Sequence, residues 1–335
     1  MLATLLRGAT IASILLPTAA FGEPIKLRLA FFTSDQTRTY TIAIKPFVDA
    51  VNADEAGGIV IEPHPGGALG KDVSQQAQLV RDGAADIAFV VRGTMADQFK
   101  DHAVMELPGL FHDMREATWV NTRLLASGLV QGYEDFFVIG SFASESQTIH
   151  TRVPIASLED LRGKRIRSNN PIEASVLAML GMSPVVLPVA KTQDAINRGT
   201  IDGAATAIGP LIDFGLRRAV TYHYLLRLGP SVRSILMSRT RFESLPQAGR
   251  DVIRKYSGAW LAERVVDGYE PSTAAQLEQL KSDPARTVIS PMQSEIDEAE
   301  AVFRVVRNQW ADASPHHRLL LSAAEAEIAK FRAAH

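Results

Sequence analysis

Residues 80–90 read Val-Arg-Asp-Gly-Ala-Ala-Asp-Ile-Ala-Phe-Val, and residues 196–206 read Ile-Asn-Arg-Gly-Thr-Ile-Asp-Gly-Ala-Ala-Thr. In each, a helical stretch stops at a glycine, Gly83 or Gly199, and an aspartate, Asp86 or Asp202, opens an apolar run. Glycine suits a helix stop because it takes the left-handed backbone conformation without steric cost, and a continuous apolar run marks a strand buried on both faces. What precedes each copy also matches. Lys-Leu-Arg-Leu-Ala-Phe at 26–31 and Lys-Arg-Ile-Arg at 164–167 each read as a first strand, followed by helix, strand and helix. The pattern predicts two β-α-β-α-β units, one per half, facing one cleft.

The chain has 335 residues, 46% of them apolar, which is enough for two ordinary cores. A net charge of −2 and no polybasic block exclude a bulk attraction to nucleic acid or to an acidic membrane. There are no cysteines, so disulfides, thiolate catalysis and cysteine-held metals are excluded outright. Residues 1–22 have the layout of a secretory signal peptide: Arg7, a short apolar core over 9–16, Pro17, then Ala20-Phe21-Gly22 before Glu23. Cleavage after Ala20 is the rival site. No later segment approaches the roughly 18 consecutive apolar residues of a membrane span. An exported, soluble, two-lobed chain is the profile of a periplasmic binding protein, and the localisation expected is the periplasm.

Strands are expected over 27–32, 59–61 and 86–91, with helices over 41–52 and 73–82 between them and another over 114–127. The second lobe is expected to begin near Ser144, with a connecting strand at 148–151. Ser157 caps a helical turn that carries Asp160 at its third position. Strands over 164–167, 184–188 and 202–206 then alternate with helices over 171–180 and 191–198. From Pro246 to Lys281 the pattern is one long helical stretch, with its interruption expected around Gly268 and Pro271. It would cross both lobes as a spine, followed by helices over 294–309 and 322–333. The division that follows is residues 1–22 as signal peptide, 23–143 as lobe I with a returning segment near 232–245, 144–231 as lobe II, and 246–335 as the spanning and C-terminal helices.

A search for chemistry returns little. There is no serine-hydrolase elbow and no His-Glu-x-x-His helix. Gly66-Gly67-Ala68-Leu69-Gly70-Lys71 has the wrong spacing for a phosphate loop, and Asp72 stands where Ser or Thr is needed, so it reads as a turn. The eight histidines are scattered, with only His316 and His317 adjacent, and neither a metal nor a cofactor is expected. No residue is assigned a catalytic role. Two arginines stand out. Arg167 ends a buried strand, and strand ends in open α/β sheets face the binding crevice. A guanidinium there calls either for an anionic ligand or for a structural partner such as Glu173. Arg92 ends the third strand of the first lobe, at the crevice edge, as a ligand contact or a rim arginine in solvent.

The stretch Pro154-Ile155-Ala156-Ser157-Leu158-Glu159-Asp160-Leu161-Arg162-Gly163-Lys164-Arg165-Ile166-Arg167 resembles the signature of the DctP-like substrate-binding proteins of TRAP transporters, the tripartite ATP-independent periplasmic systems. Further matches follow in order: Pro65-Gly66-Gly67 with Leu69-Gly70, Gly83 with Asp86, Leu107-Pro108, Leu180-Gly181-Met182 with Pro184, Gly199 with Asp202-Gly203, and Leu245-Pro246. The resemblance implies a two-lobed, type II-like periplasmic binding fold of class α/β. Each lobe would be a mixed, mostly parallel sheet flanked by helices, with a long helix spanning both. It also implies hinge closure on an organic acid, with Arg167 binding the carboxylate, and delivery to a membrane permease. A monomer is expected, and the missing nucleophile–base constellation argues against an enzyme.

The departures from the family pattern bear on the ligand. Many members carry an arginine eight residues before the Pro-Ile, where this chain has Ser146. The run from 202 lacks the usual Glu-Asn after its glycine, and Lys191 and Gln193 replace a usual Glu and Tyr. Polar contacts are thinned, leaving Asn169, Thr206 and small apolar residues. Phe31, Phe32 and Phe214 read either as core, the commoner place for a single phenylalanine, or as crevice residues, and in the second case a less polar monocarboxylate is implied. The expected ligand-binding set is Arg167, Asn169, Thr206, Arg92, Phe32 and Phe214. A ligand sensor presenting the acid to a membrane receptor is the alternative, and an enzyme on the same fold a more remote one.

Overall fold

The computed structural model describes residues 23–335; the expected signal segment 1–22 lies outside them. The first sheet contains β1 (Ile25–Ala30), β2 (Ile59–His64), β3 (Ile87–Val91), β4 (Phe136–Ala143) and β10 (Val232–Ser238), in the order β2-β1-β3-β10-β4. β1 pairs parallel with β2 and β3, whereas β10 runs antiparallel between β3 and β4. Helix α1 (Lys45–Ala53), entered through a π-turn over 40–44, buries Phe47, Val48 and Val51 against one face. Helix α3 (Met114–Ala126) covers the other face.

The second sheet contains β5 (Thr148–Thr151), β6 (Arg165–Ser168), β7 (Ser183–Val186), β8 (Gly203–Thr206), β9 (Tyr222–Tyr224) and β11 (Thr287–Ile289), in the order β11-β9-β5-β8-β6-β7. Helices α4 (Pro171–Met179) and α5 (Val189–Asn197) connect its parallel strands β6, β7 and β8. The duplicated phrase does the same job in both sheets. Gly83 and Gly199 each have φ of 70°. Asp86 accepts the Arg28 backbone N–H at 2.7 Å and Asp202 that of Arg165 at 2.9 Å, so each aspartate ties the start of its own strand to the first strand of its unit. The fold is two-lobed α/β, as the sequence implies.

Two antiparallel segments cross between the sheets, 144–147 leading out of β4 and 228–231 leading into β10. Ser144 N–H donates to Ser231 O, Gln147 N–H to Gly229 O and Leu228 N–H to Gln147 O, at 2.8, 2.8 and 3.0 Å. A third crossing is α9 (Ala259–Ser282), about 36 Å long at 1.5 Å per residue. Its first half packs Leu261, Val265, Val266 and Tyr269 into the first lobe, and its last turns pack Leu277 and Leu280 into the second.

The expected interruption at Gly268 and Pro271 is corrected by the structure: α9 runs through both residues, and the break lies at Ser257–Gly258. The preceding helix α8 (Gln247–Lys255) ends at its C-cap Tyr256, and Gly258, with φ of 62°, is the N-cap from which α9 starts. Gly268 serves packing instead, since a Cβ there would stand 2.6 Å from Ile42 Cγ2. Pro271 forfeits one backbone hydrogen bond, but both ends of the helix are anchored in separate cores. After β11, α10 (Gln293–Asp312) packs on the second lobe and α11 (Pro315–Ala334) returns to the first.

Candidate ligand-binding site

Arg167 sits in β6, between β7 and β8, with its side chain only 2% exposed. Nε donates to Leu187 O at 2.7 Å, Nη1 to Ala205 O at 3.1 Å and Nη2 to Asn169 Oδ1 at 3.0 Å. All three acceptors are neutral. A guanidinium has five N–H donors, so one remains on each terminal nitrogen, the pair that a carboxylate takes in two-pronged fashion. No carboxylate lies within the 4.0 Å of an ion pair among the described residues, so the structural pairing with Glu173 is not made. Burial lowers the guanidinium to about 10, with Glu173 opposing from a distance. The group stays charged at neutral pH, buried and without a counter-ion in contact.

Glu173, in the first turn of α4, is buried too. Its Oε2 accepts the Asn169 N–H, its Oε1 has no partner, and burial raises it to about 7 against the pull of Arg167. The strand behind Arg167 is braced by histidines. His150 Nε2 lies 3.1 Å from Thr206 O, and His150 Nδ1 lies 2.9 Å from His223 Nδ1. A carbonyl only accepts, so Nε2 of His150 carries the proton and His223 Nδ1 donates to His150. This pins the carbonyl next to the one that holds Arg167.

Arg167 faces a space of about 50 Å³ between the lobes, several times the roughly 10–15 Å³ one water needs. The second lobe contributes Asn169, Val189, Thr206, Pro210, Asp213 and Phe214. The first contributes Phe32, Thr33, Thr37, Thr39, Phe89 and Val91, with Arg233 from β10, and the crossing segments contribute Gln147 and Ser231. Phe32 stacks on Phe89 with centroids 5.9 Å apart. The glycine turn after β2 places this wall: Gly66 N–H donates to Thr33 O at 2.7 Å and Gly67 N–H to Phe31 O at 3.0 Å.

Of the residues expected from sequence, the structure brings together Arg167, Asn169, Thr206, Phe32 and Phe214. Asn169 is a positioning residue. Its Oδ1 holds Arg167 and its Nδ2 donates to Ser231 Oγ at 3.1 Å, tying the anchor to a crossing segment. One expectation is corrected. Arg92 is neither at the rim nor in the space; it is 1% exposed and forms a buried ion pair with Glu106, which in turn accepts the Val232 N–H. The strand end turns straight into a 3₁₀ turn over 92–95, which carries the side chain inward. Phe31 belongs to the first core, at 1% exposed. Sequence reasoning missed Arg233, Asp213 and Gln147, which lie outside the repeated phrases. The signal available for Arg233 was a charge in the apolar alternation Arg233-Ile235-Met237.

A larger concavity of about 630 Å³ lies on the other side of the crossing segments, lined by Phe111, His112, Arg227, Glu300, Phe303 and Arg332 among others. Its cations are engaged: Arg227 donates to His112 O, and Arg332 holds Glu116 with Nε at 2.6 Å. It offers no buried charge seeking a partner.

Residues 30–313 match the family described as "Bacterial extracellular solute-binding protein, family 7" (DctP). The uncharacterized protein YiiZ of Salmonella typhimurium is 30% identical over 210 residues, 59% of this chain and 62% of that protein, so the match spans less than two thirds of its length. A TRAP solute-binding protein from a marine metagenome, specific for aromatic acid ligands and solved with metahydroxyphenylacetate, superposes with a TM-score of 0.85 at 24% identity, covering 91% of this chain and 99% of that one. A TRAP solute-binding protein of Rhodoferax ferrireducens, solved with copurified benzoate, gives 0.84 at 24% identity, covering 93% and 100%.

Proposed function

Because the chain belongs to the bacterial extracellular solute-binding proteins of family 7, we propose that it captures an organic monocarboxylate between its lobes in the periplasm and hands it to a TRAP permease. In this reading residues 23–143 with the returning segment near 232–245 form one jaw, 144–231 the other, and 246–335 supply the spanning and C-terminal helices. It acts as a monomer and releases the acid unchanged. The observation that carries the reading is Arg167: a buried guanidinium whose three spent N–H groups meet only neutral oxygens, with two left toward the inter-lobe space.

Burying an ion without a partner is expensive, and a ligand carboxylate removes the cost. Phe32, Phe89, Val91, Val189 and Phe214 fit an apolar or aromatic body, in line with the aromatic acids held by the two superposed proteins. Titration calorimetry with benzoate and related monocarboxylates tests this. Arg167→Ala is expected to stay folded and lose roughly 2–5 kcal/mol of binding, and Arg167→Lys to bind poorly because an ammonium lacks the two-pronged geometry. Wild-type affinity in Arg167→Ala would overturn the assignment.

A further inference from the structure

The inter-lobe space has a second polar pole that the carboxylate anchor does not use. Arg233 stands in β10 on the face that continues through Ile235 and Met237 into the apolar core, opposite Val91 and Phe142 in register. Arg233 is partly buried, on the wall of the inter-lobe space, where an acceptor is its natural partner. Among the described residues the Arg233 side chain makes no hydrogen bond, and no carboxylate lies within 4.0 Å of it. Across the space, on the other lobe, Asp213 ends helix α6 (Ile208–Asp213). Its carboxylate likewise has no side-chain partner within 4.0 Å among the described residues. Burial raises its pKa, and Arg38 (through its charge and its backbone N–H) and then Arg233 oppose that shift. Arg38 itself is engaged elsewhere, with Gln276, with Thr273 Oγ1 at 2.9 Å and over the Tyr269 ring. Arg233 and Asp213 thus line one space from opposite lobes, more than 4.0 Å apart and unpaired with each other.

A donor and an acceptor separated in this way, from opposite lobes, fit one small group that both accepts and donates. A hydroxyl does both; a methyl or a second carboxylate does not. We propose that Arg233 and Asp213 seat a hydroxyl of the ligand, so that the acid captured is a hydroxy-monocarboxylate, its carboxylate on Arg167 and its hydroxyl bridging the lobes. This rests on the carboxylate reading of Arg167 and adds a specificity element to it. The bridge forms only when the lobes are together, so the hydroxyl favours the closed form directly.

The test is calorimetry on the full mature chain with matched probes: benzoate against its three monohydroxy isomers and its 3-carboxy derivative, and phenylacetate against mandelate and the hydroxyphenylacetates. At least one hydroxylated acid should bind tenfold or more tighter than its parent, since a site built to bond a hydroxyl discriminates against its absence. That ratio should collapse toward one in both Asp213→Ala and Arg233→Met. Ratios near one for every pair in the wild type, or a ratio that survives both substitutions, overturn the hydroxyl seat while leaving the Arg167 reading intact. Preference for the 3-carboxy derivative overturns it too, in favour of a second carboxylate on Arg233. No binding by any acid, in protein shown to be folded by its thermal transition, overturns both readings together.

Discussion

At the scale of single residues, the account turns on charges placed where water does not reach. Glu173 is pushed up to about 7, chiefly by burial. A ligand anion on Arg167 meets an ionised Glu173 at high pH and a neutral one at low pH. Affinity is therefore expected to fall as pH rises through about 7, and Glu173→Gln to flatten the profile; calorimetry between pH 6 and 8 reads this directly. Arg92 behaves differently. Removing it leaves Glu106 buried and unpaired, so Arg92→Ala should cost about 3–5 kcal/mol of folding stability, seen in urea unfolding, instead of acting on the ligand. Both arginines read as strand ends, and only the family resemblance set Arg167 apart as the carboxylate anchor. Their fates are set by the next few residues, a 3₁₀ turn that begins at Arg92 and a further strand residue, Ser168, after Arg167. Glu106 ends a 3₁₀ segment over 101–106 whose course no local pattern foretells.

At the scale of elements, legibility followed periodicity. The buried parallel strands and the glycine–aspartate turns were readable because one residue pattern served both lobes. The strands β4, β9, β10 and β11 were not read as strands: they run antiparallel or at sheet edges and sit outside the repeat. The histidine pair was invisible for the same reason, since His150 and His223 meet only when β5 lies beside β9. The crossing segments and the loop after β3 give the next expectation. Gly93, on the first lobe, lies against Asn169 of the second, where an added Cβ would stand 2.8 Å from Asn169 Nδ2 and 3.3 Å from its carbonyl oxygen. Gly93→Ala should oppose closure. We expect weaker ligand affinity with little change in the unfolding midpoint of the free protein; unchanged affinity would mean the lobes close along another path.

At the scale of the whole molecule, capture and stability are linked to protons and to shape. His102, His150 and His223 are depressed to about 3, 3 and 4, mainly by burial, and stay neutral in the fold. Stability from a depressed histidine is present above its unfolded value of 6.5 and is lost as pH falls toward the folded one. Glu173 works the other way, its contribution fading as pH rises through about 7. Near pH 5.5 unfolding should take up about two protons net, so urea unfolding between pH 7.5 and 5.5 should show stability declining with acid. A flat profile would contradict the buried-neutral histidines. Saturating acid should also compact the protein in solution scattering, because closure is driven by tighter binding to the closed form. The most direct test of the central claim is a crystal structure of the complex with benzoate or a hydroxybenzoate. The account predicts both carboxylate oxygens within hydrogen-bond distance of Arg167 Nη1 and Nη2, between Phe32 and Phe214. An acid lodged behind the crossing segments, or one in the inter-lobe space with its carboxylate away from Arg167, would contradict it.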